Sequence, residues 1–161
     1  MTGVQTCALP ICHNFKFTNL QAAIGLAQLK KLESFIEKRR ANAREMIRGL
    51  QDIPELQLPH EYELEFMNYI SFPILMKKPN RCTAVREYIE QHGVENRTMF
   101  MAMCDQPYYQ KLFGTLNSAV LYPQATYLGR NGFYVGCHPT LTQEQMKYLV
   151  GIIHDAVASV Q

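Results

Sequence analysis

The chain has no tryptophan, and no run of apolar residues is long enough to cross a membrane as a helix. Its charge is nearly balanced, with 16 Lys+Arg against 14 Asp+Glu, a formal net charge of +2. That balance supplies no basic field for a nucleic acid or an anionic membrane, so neither is expected as a partner. The five cysteines fall at no CxxC or other metal-ligand spacing, so a zinc site and a disulfide framework are both unexpected. Reduced thiols in a cytoplasmic protein are the default reading. A glycine-rich phosphate loop, an HExxH helix and a GxSxG elbow are also missing. What is present is ordinary globular material: 161 residues, 47% hydrophobic and 19% charged, the size of one domain or most of one.

Residues 1–11 (MTGVQTCALPI) carry no charge and lack the cationic start of a signal peptide. The codons of a common short-read library adapter, read from a GTG start, translate to this string. We read residues 1–11 as adapter-derived and not native, fused to a truncated gene. The next adapter base turns a glycine codon into a cysteine codon, so Cys12 stands where a glycine is expected. The sequence then divides into residues 12–51, a loop and a long helix, and residues 52–161, a small domain.

Thr18 and Gln21 sit at capping-box spacing, and no proline follows before Gln51. One continuous helix is expected, about 50 Å long. Its first part, Leu20–Leu29 (LQAAIGLAQL), is apolar on nearly all sides and calls for burial all round. Beyond it Leu29, Ile36, Ala43 and Leu50 recur every seven residues, with Leu32 and Met46 between them, as a one-sided stripe. Residues 52–65 read as an acidic loop with one short extended piece. Tyr69–Met76 reads as a strand with Ile70, Phe72, Ile74 and Met76 on one face, and Pro73 points to an edge or a bulge. Asn80 is placed to cap a helix that Gly93 stops, with Val85, Tyr88, Ile89 and His92 on one face. Val94–Met101 and Gly132–Cys137 are further strands, with short helices after Gln106 and over Tyr122–Asn131. Thr142 and Gln145 form a second capping box, with Leu141 and Met146 as its hydrophobic staple, and open a last helix that runs to about Val160. The fold class is α/β, as an α+β small domain: a long N-terminal helix, then a small, mainly antiparallel sheet with helices packed on one face.

Candidate chemistry is sparse. Cys137-His138 and Cys104-Asp105 are adjacent pairs, and neighbours on a strand point to opposite faces, which disfavours a nucleophilic pair. His138, just before Pro139, suits a structural turn. Arg97 lies within the Val94–Met101 strand candidate and calls for an acidic or a phosphate partner.

Three collinear blocks are more specific. His13-Asn14-Phe15-Lys16-Phe17-Thr18-Asn19-Leu20-Gln21-Ala22-Ala23-Ile24-Gly25-Leu26-Ala27-Gln28-Leu29 is followed by Glu37 to Arg40. Then come Arg97, Phe100 and Gln106-Pro107-Tyr108, and last Ala125, Leu128, Gly132, His138-Pro139 and Leu141-Thr142. Together, from Cys12 to the C-terminus, they resemble the DegT-type nucleotide-sugar aminotransferases. The resemblance implies the C-terminal domain of an aspartate-aminotransferase-like fold. It also implies pyridoxal 5'-phosphate as the electron sink for amine transfer. The implied protein is a homodimer with its active site between subunits, using a nucleotide sugar and an amino donor such as glutamate. By the same resemblance Asn14 reaches the cofactor phosphate of the partner subunit, where its amide donates without adding charge. Lys16 replaces the family's arginine, Cys104 stands where many members carry histidine, and both, with Arg97, are candidate substrate contacts. The Schiff-base lysine of the family precedes this segment, and none of the eight lysines here matches its motif. No catalytic residue is therefore assigned in this chain, the large cofactor-binding domain is missing, and the chain alone is expected to be inactive. Two other readings stay open: a keto-sugar dehydratase using the same cofactor, and a non-catalytic dimerising α/β module.

Overall fold

A computed structural model describes residues 18–160. The chain separates into two compact units, residues 1–35 and 36–161.

In the first unit, α1 (Asn19–Leu29) opens on the expected capping box: the Gln21 amide donates to the Thr18 hydroxyl and the Gln21 side chain accepts from the Thr18 amide. The single long helix is not found. The Lys31 N–H turns back to the Gln28 carbonyl at 2.9 Å, while the Lys30 N–H reaches Leu26 only at 3.4 Å. This i−3 tightening ends the ladder without proline or glycine. The Lys31 carbonyl accepts from the Phe35 amide and the Ser34 hydroxyl, and α2 (Leu32–Leu50) starts there. No residue of α1 is buried, so the expected burial of its apolar circumference is not met among the described residues. Leu20 is 73% and Leu26 63% exposed. The heptad stripe of α2 is buried from Ala43 through Met46 to Leu50, whereas Leu29 and Leu32 stay exposed.

In the second unit, β1 (Leu56–Gln57), β2 (Ser71–Met76), β3 (Asn96–Thr98) and β4 (Gly132–Gly136) form an antiparallel sheet in the order β1-β2-β4-β3. In β2, Phe72, Ile74 and Met76 point inward and are buried, alternating with half-buried Ser71, Pro73 and Leu75. Ile70, expected on the inner face, precedes the strand and is 73% exposed. Pro73 is tolerated because β1 pairs only with Leu75 and Met76, leaving that edge of β2 open beside it. The third strand is shorter than expected, three residues, because its ladder on β4 ends at Thr98↔Phe133. The inner face meets α2, α3 (Cys82–Gln91) and α7 (Gln143–Ser159), whose Met46, Val85, Ile89, Met146 and Ile153 join Phe72 and Phe133 in one core. The helices over the core thus lie on one face of the sheet, as expected. Where α2 meets α7, a Cβ on Gly49 would sit 2.7 Å from a Val150 methyl, so only glycine allows this approach.

Asn80 is not the cap of α3. It takes a left-handed conformation, φ 70°, which asparagine tolerates better than most residues, and Arg81 occupies the cap position without a side-chain bond. Gly93 ends the helix with φ 77° as expected. The Thr142–Gln145 box forms in full, and Met146 is buried. Three short helices, α4 (Pro107–Phe113), α5 (Ser118–Leu121) and α6 (Pro123–Asn131), connect β3 to β4. No helix among the described residues is long and apolar enough to cross a membrane.

Arg40 on α2 grips the loop ahead of β2. Its guanidinium donates to both Glu61 oxygens at 2.7 and 3.0 Å and to the Met67 carbonyl at 2.9 Å, and lies 4.4 Å over the Phe66 ring. The Met67 amide also donates to Glu61. The Arg40 bond first, and the Met67 amide second, hold the Glu61 carboxyl below its ordinary value. A lowered folded pKa means stability that is present above the ordinary carboxylate range and lost as the pH falls through the folded value. Glu61→Gln is therefore expected to lower the melting temperature at neutral pH. The gap to the parent chain should close as the pH drops to about 4 and below. Melting scans across that range check it; a gap independent of pH contradicts it.

Candidate functional site

The outer face of the sheet carries the candidate site. Strand alternation that sends Phe72, Phe133 and Val135 inward sends Ser71, Pro73, Tyr134 and Arg97 outward. The register stacks them, with Tyr134 opposite Pro73 on one side and Arg97 on the other. The loop at 67–70, the strand ends and the start of α7, through Gln145 and Tyr148, wall this floor into a cleft of about 990 Å³. The lining is mostly apolar, with a few polar groups, as in sites that hold organic ligands.

Arg97 is the one guanidinium among the described residues lining the cleft. Its partner is Glu95, two residues back, which accepts from Nε at 3.1 Å and Nη2 at 2.9 Å. The Glu95 hydrogen bond, then its charge, raises the Arg97 pKa further, so the cation is permanent. The two side chains are 69% and 79% exposed. A solvent-exposed pair of this kind is weak, so an anionic ligand can compete for the guanidinium. His138 makes the expected turn: the Thr140 amide donates to its Nδ1, and its carbonyl accepts from Asn42 on α2. It also lines the cleft, as do Tyr134 and Tyr148, which the sequence reading did not single out. The outward phase of Tyr134 between Phe133 and Val135 was the available signal.

Cys104 does not line the cleft. It sits in a 3-10 turn, Met103–Asp105, with its Sγ 4.0 Å from Asp105. The other Asp105 oxygen accepts from Ser118 at 2.8 Å, so the turn is tied to α5. The structure thus places Arg97 in the cleft and Cys104 outside it. Asn14 and Lys16 lie outside the described residues. Cys137 is buried with its thiol against the Arg39 carbonyl, and burial pushes its pKa up to about 11, so it is no nucleophile at neutral pH. Among the described residues no cluster of His, Cys, Asp and Glu could hold a metal ion.

To hold pyridoxal phosphate as an aldimine a site needs a lysine amine, and no described lysine lines the cleft. The described residues therefore do not compose a complete site for that cofactor.

A family model for the DegT/DnrJ/EryC1/StrS aminotransferases matches residues 2–154. The chain is 32% identical over 146 residues to the lipopolysaccharide biosynthesis protein RfbH of Salmonella typhimurium, covering 86% of this chain and 32% of that protein. It is 27% identical over 145 residues to GDP-perosamine synthase of Escherichia coli O157:H7, covering 90% of this chain and 38% of the synthase. Among solved structures it superposes on Helicobacter pylori PseC, an aminotransferase of pseudoaminic acid biosynthesis, with a TM-score of 0.81 at 24% identity, over 92% of this chain and 39% of PseC. It also superposes on E. coli GDP-4-keto-6-deoxy-D-mannose-3-dehydratase with bound hydrated PLP, with a TM-score of 0.75 at 27% identity, over 90% and 37% of the two chains. The chain spans about a third of the length of the curated relatives it matches. The family match from residue 2 to residue 154 and the shared fold agree: the chain belongs to the DegT/DnrJ/EryC1/StrS aminotransferase family.

Proposed function

We propose that this chain is the C-terminal part of a pyridoxal-phosphate-dependent aminotransferase acting on a nucleotide-linked keto-sugar, in amino-sugar or polysaccharide biosynthesis. The family match over residues 2–154 carries the reading. GDP-perosamine synthase and the H. pylori transaminase of UDP-4-amino-4,6-dideoxy-N-acetyl-beta-L-altrosamine support the substrate class. In this reading residues 12–51 belong to the cofactor-site loop and connecting helix, and residues 52–161 form the small domain. The protein works in the cytoplasm as a homodimer with glutamate as amino donor. Asn14 donates its amide to the cofactor phosphate of the partner subunit. Arg97 holds a substrate anion at the cleft, exchanging Glu95 for it. Lys16 offers a second cation, without the bidentate fork of arginine. Cys104, set outside the cleft in a turn that Asp105 ties to α5, makes no direct contact with a ligand in the cleft. The exposed apolar surface of α1 packs on the parts of the dimer beyond this chain.

A second reading has a specific support: relatives of the chain include a GDP-4-keto-6-deoxy-D-mannose 3-dehydratase of Yersinia pseudotuberculosis, 28% identical over 144 residues. The residue that separates transfer of an amine from dehydration is the one that holds the cofactor, and no described residue of this chain takes that place.

The isolated chain is expected not to bond pyridoxal phosphate covalently. After incubation and borohydride reduction, intact-mass spectrometry should show the unmodified chain, and the complete protein should gain one cofactor. Stoichiometric fixation of the cofactor to one lysine of the isolated chain would overturn the assignment.

A further inference from the structure

We propose that a second cavity, bounded by the start of α3, one side of α6 and Thr98, binds a phosphate group. The cavity measures about 580 Å³ and shares no lining residue with the cleft. Three kinds of donor without an acceptor meet there.

The first is the N-terminus of α3. Arg81 at its cap position offers no side-chain bond, and its first turn holds no acidic residue. The first intrahelical bond runs from the Val85 amide to the Arg81 carbonyl, so the amides of Cys82, Thr83 and Ala84 find no acceptor inside the helix. Cys82 and Thr83 line the cavity, and the positive end of the helix dipole lies against it.

The second is Thr126, 8% exposed, whose hydroxyl is buried with no hydrogen-bond partner among the described residues. Pro123, Thr126, Tyr127 and Arg130 fall at helical spacing on one side of α6, and all four line the cavity. The side of α6 that carries the unpaired hydroxyl is therefore the side turned to the cavity. Leaving such a group unpaired is costly, and a turn of the Thr126 side chain about χ1 toward an acceptor in the cavity relieves it.

The third is Arg130, which makes no ion pair among the described residues. No carboxylate lines the cavity to neutralise it or to repel an anion. The neighbouring Tyr127 hydroxyl is already committed, donating to the Met76 and Lys77 carbonyls at 3.1 and 2.9 Å, and it anchors α6 to the end of β2. The donors thus sit on anchored elements.

Helix amides, a hydroxyl and a guanidinium with no competing acid form a donor set suited to a tetrahedral oxyanion. The volume admits either inorganic phosphate or a small phosphate monoester, and the test separates the two.

The test titrates the chain, Thr126→Val and Arg130→Gln with inorganic phosphate and with glucose 6-phosphate, against chloride at matched ionic strength. Melting temperature and dissociation constant are read for each. In the parent chain phosphate should raise the melting temperature and chloride should not. Arg130→Gln should weaken binding about tenfold or more. Thr126→Val preserves shape and removes the unpaired hydroxyl. It should melt higher than the parent without phosphate, yet bind phosphate several-fold more weakly. Tighter binding of the monoester would identify an ester as the ligand, and equal binding would identify the free anion; both support the site. No phosphate-specific shift in the parent, equal binding in all three chains, or a lower melting temperature of Thr126→Val without phosphate would overturn it.

Discussion

Phe133→Ala is expected to destabilise the second unit by about 3–5 kcal/mol, the cost of emptying a well-packed aromatic site. Phe133 is wholly buried on β4, pairs with Ile74 and Thr98 on its two neighbouring strands, and belongs to the core shared with α2, α3 and α7. Its loss cannot be absorbed locally, because the strands either side fix the backbone. Tyr134, the next residue, points to the open face and is only half-buried. Tyr134→Ala should therefore cost far less, about 1 kcal/mol. Urea unfolding of both variants measures the difference. Equal losses at the two positions would mean that the inward and outward faces of the sheet are wrongly assigned. The residue before them gives a second contrast. A Cβ on Gly132 would meet the Leu128 carbonyl at 2.6 Å and Met99 at 2.5 Å, so Gly132→Ala should cost about 1–3 kcal/mol by overpacking instead of by cavity formation.

Asn14→Ala in the complete protein is expected to weaken cofactor retention about ten- to a hundred-fold, without unfolding it. A neutral donor to a charged phosphate contributes about 1.5–3 kcal/mol, and alanine removes it. Dialysis followed by the absorbance of the retained cofactor reads the loss directly. Unchanged retention would leave Asn14 without a role at the cofactor.

Features set by short-range chemistry were legible in the sequence. The boxes at Thr18–Gln21 and Thr142–Gln145 depend on residues three apart, and both form. The stop at Gly93 and the alternation of Phe72, Ile74 and Met76 are also local, and both hold. Features set by the backbone's fine geometry were not. The break at Lys30–Lys31 arises from carbonyls switching partners by one residue, with no glycine or proline to announce it. Asn80 was placed as a cap because its side chain suits one, yet the turn used its tolerance of positive φ. The strand order β1-β2-β4-β3 joins segments far apart in the chain, and no pattern within one strand encodes it. The candidate site follows the same division. Arg97 was legible as the one cation of the Val94–Met101 segment, and the cleft contains it. Tyr134 and Tyr148 become visible only when β4 and α7 are brought to the same cleft. Cys104 was placed near the site by family position alone, and the turn at Met103–Asp105 holds it outside the lining.

The most direct test of the account is product mass. The complete reading frame that contains residues 12–161 is supplied with pyridoxal phosphate, glutamate and a nucleotide-linked 4-keto-6-deoxyhexose, and the sugar nucleotide is weighed. Our reading predicts an amino sugar, with the carbonyl oxygen replaced by an amine, 2-oxoglutarate formed in equal amount, and no product from the isolated 161-residue chain. A deoxy-keto sugar without retained nitrogen would move the protein to the dehydratase reading. An unchanged sugar nucleotide with the cofactor bound, or turnover by the isolated chain, would contradict the account.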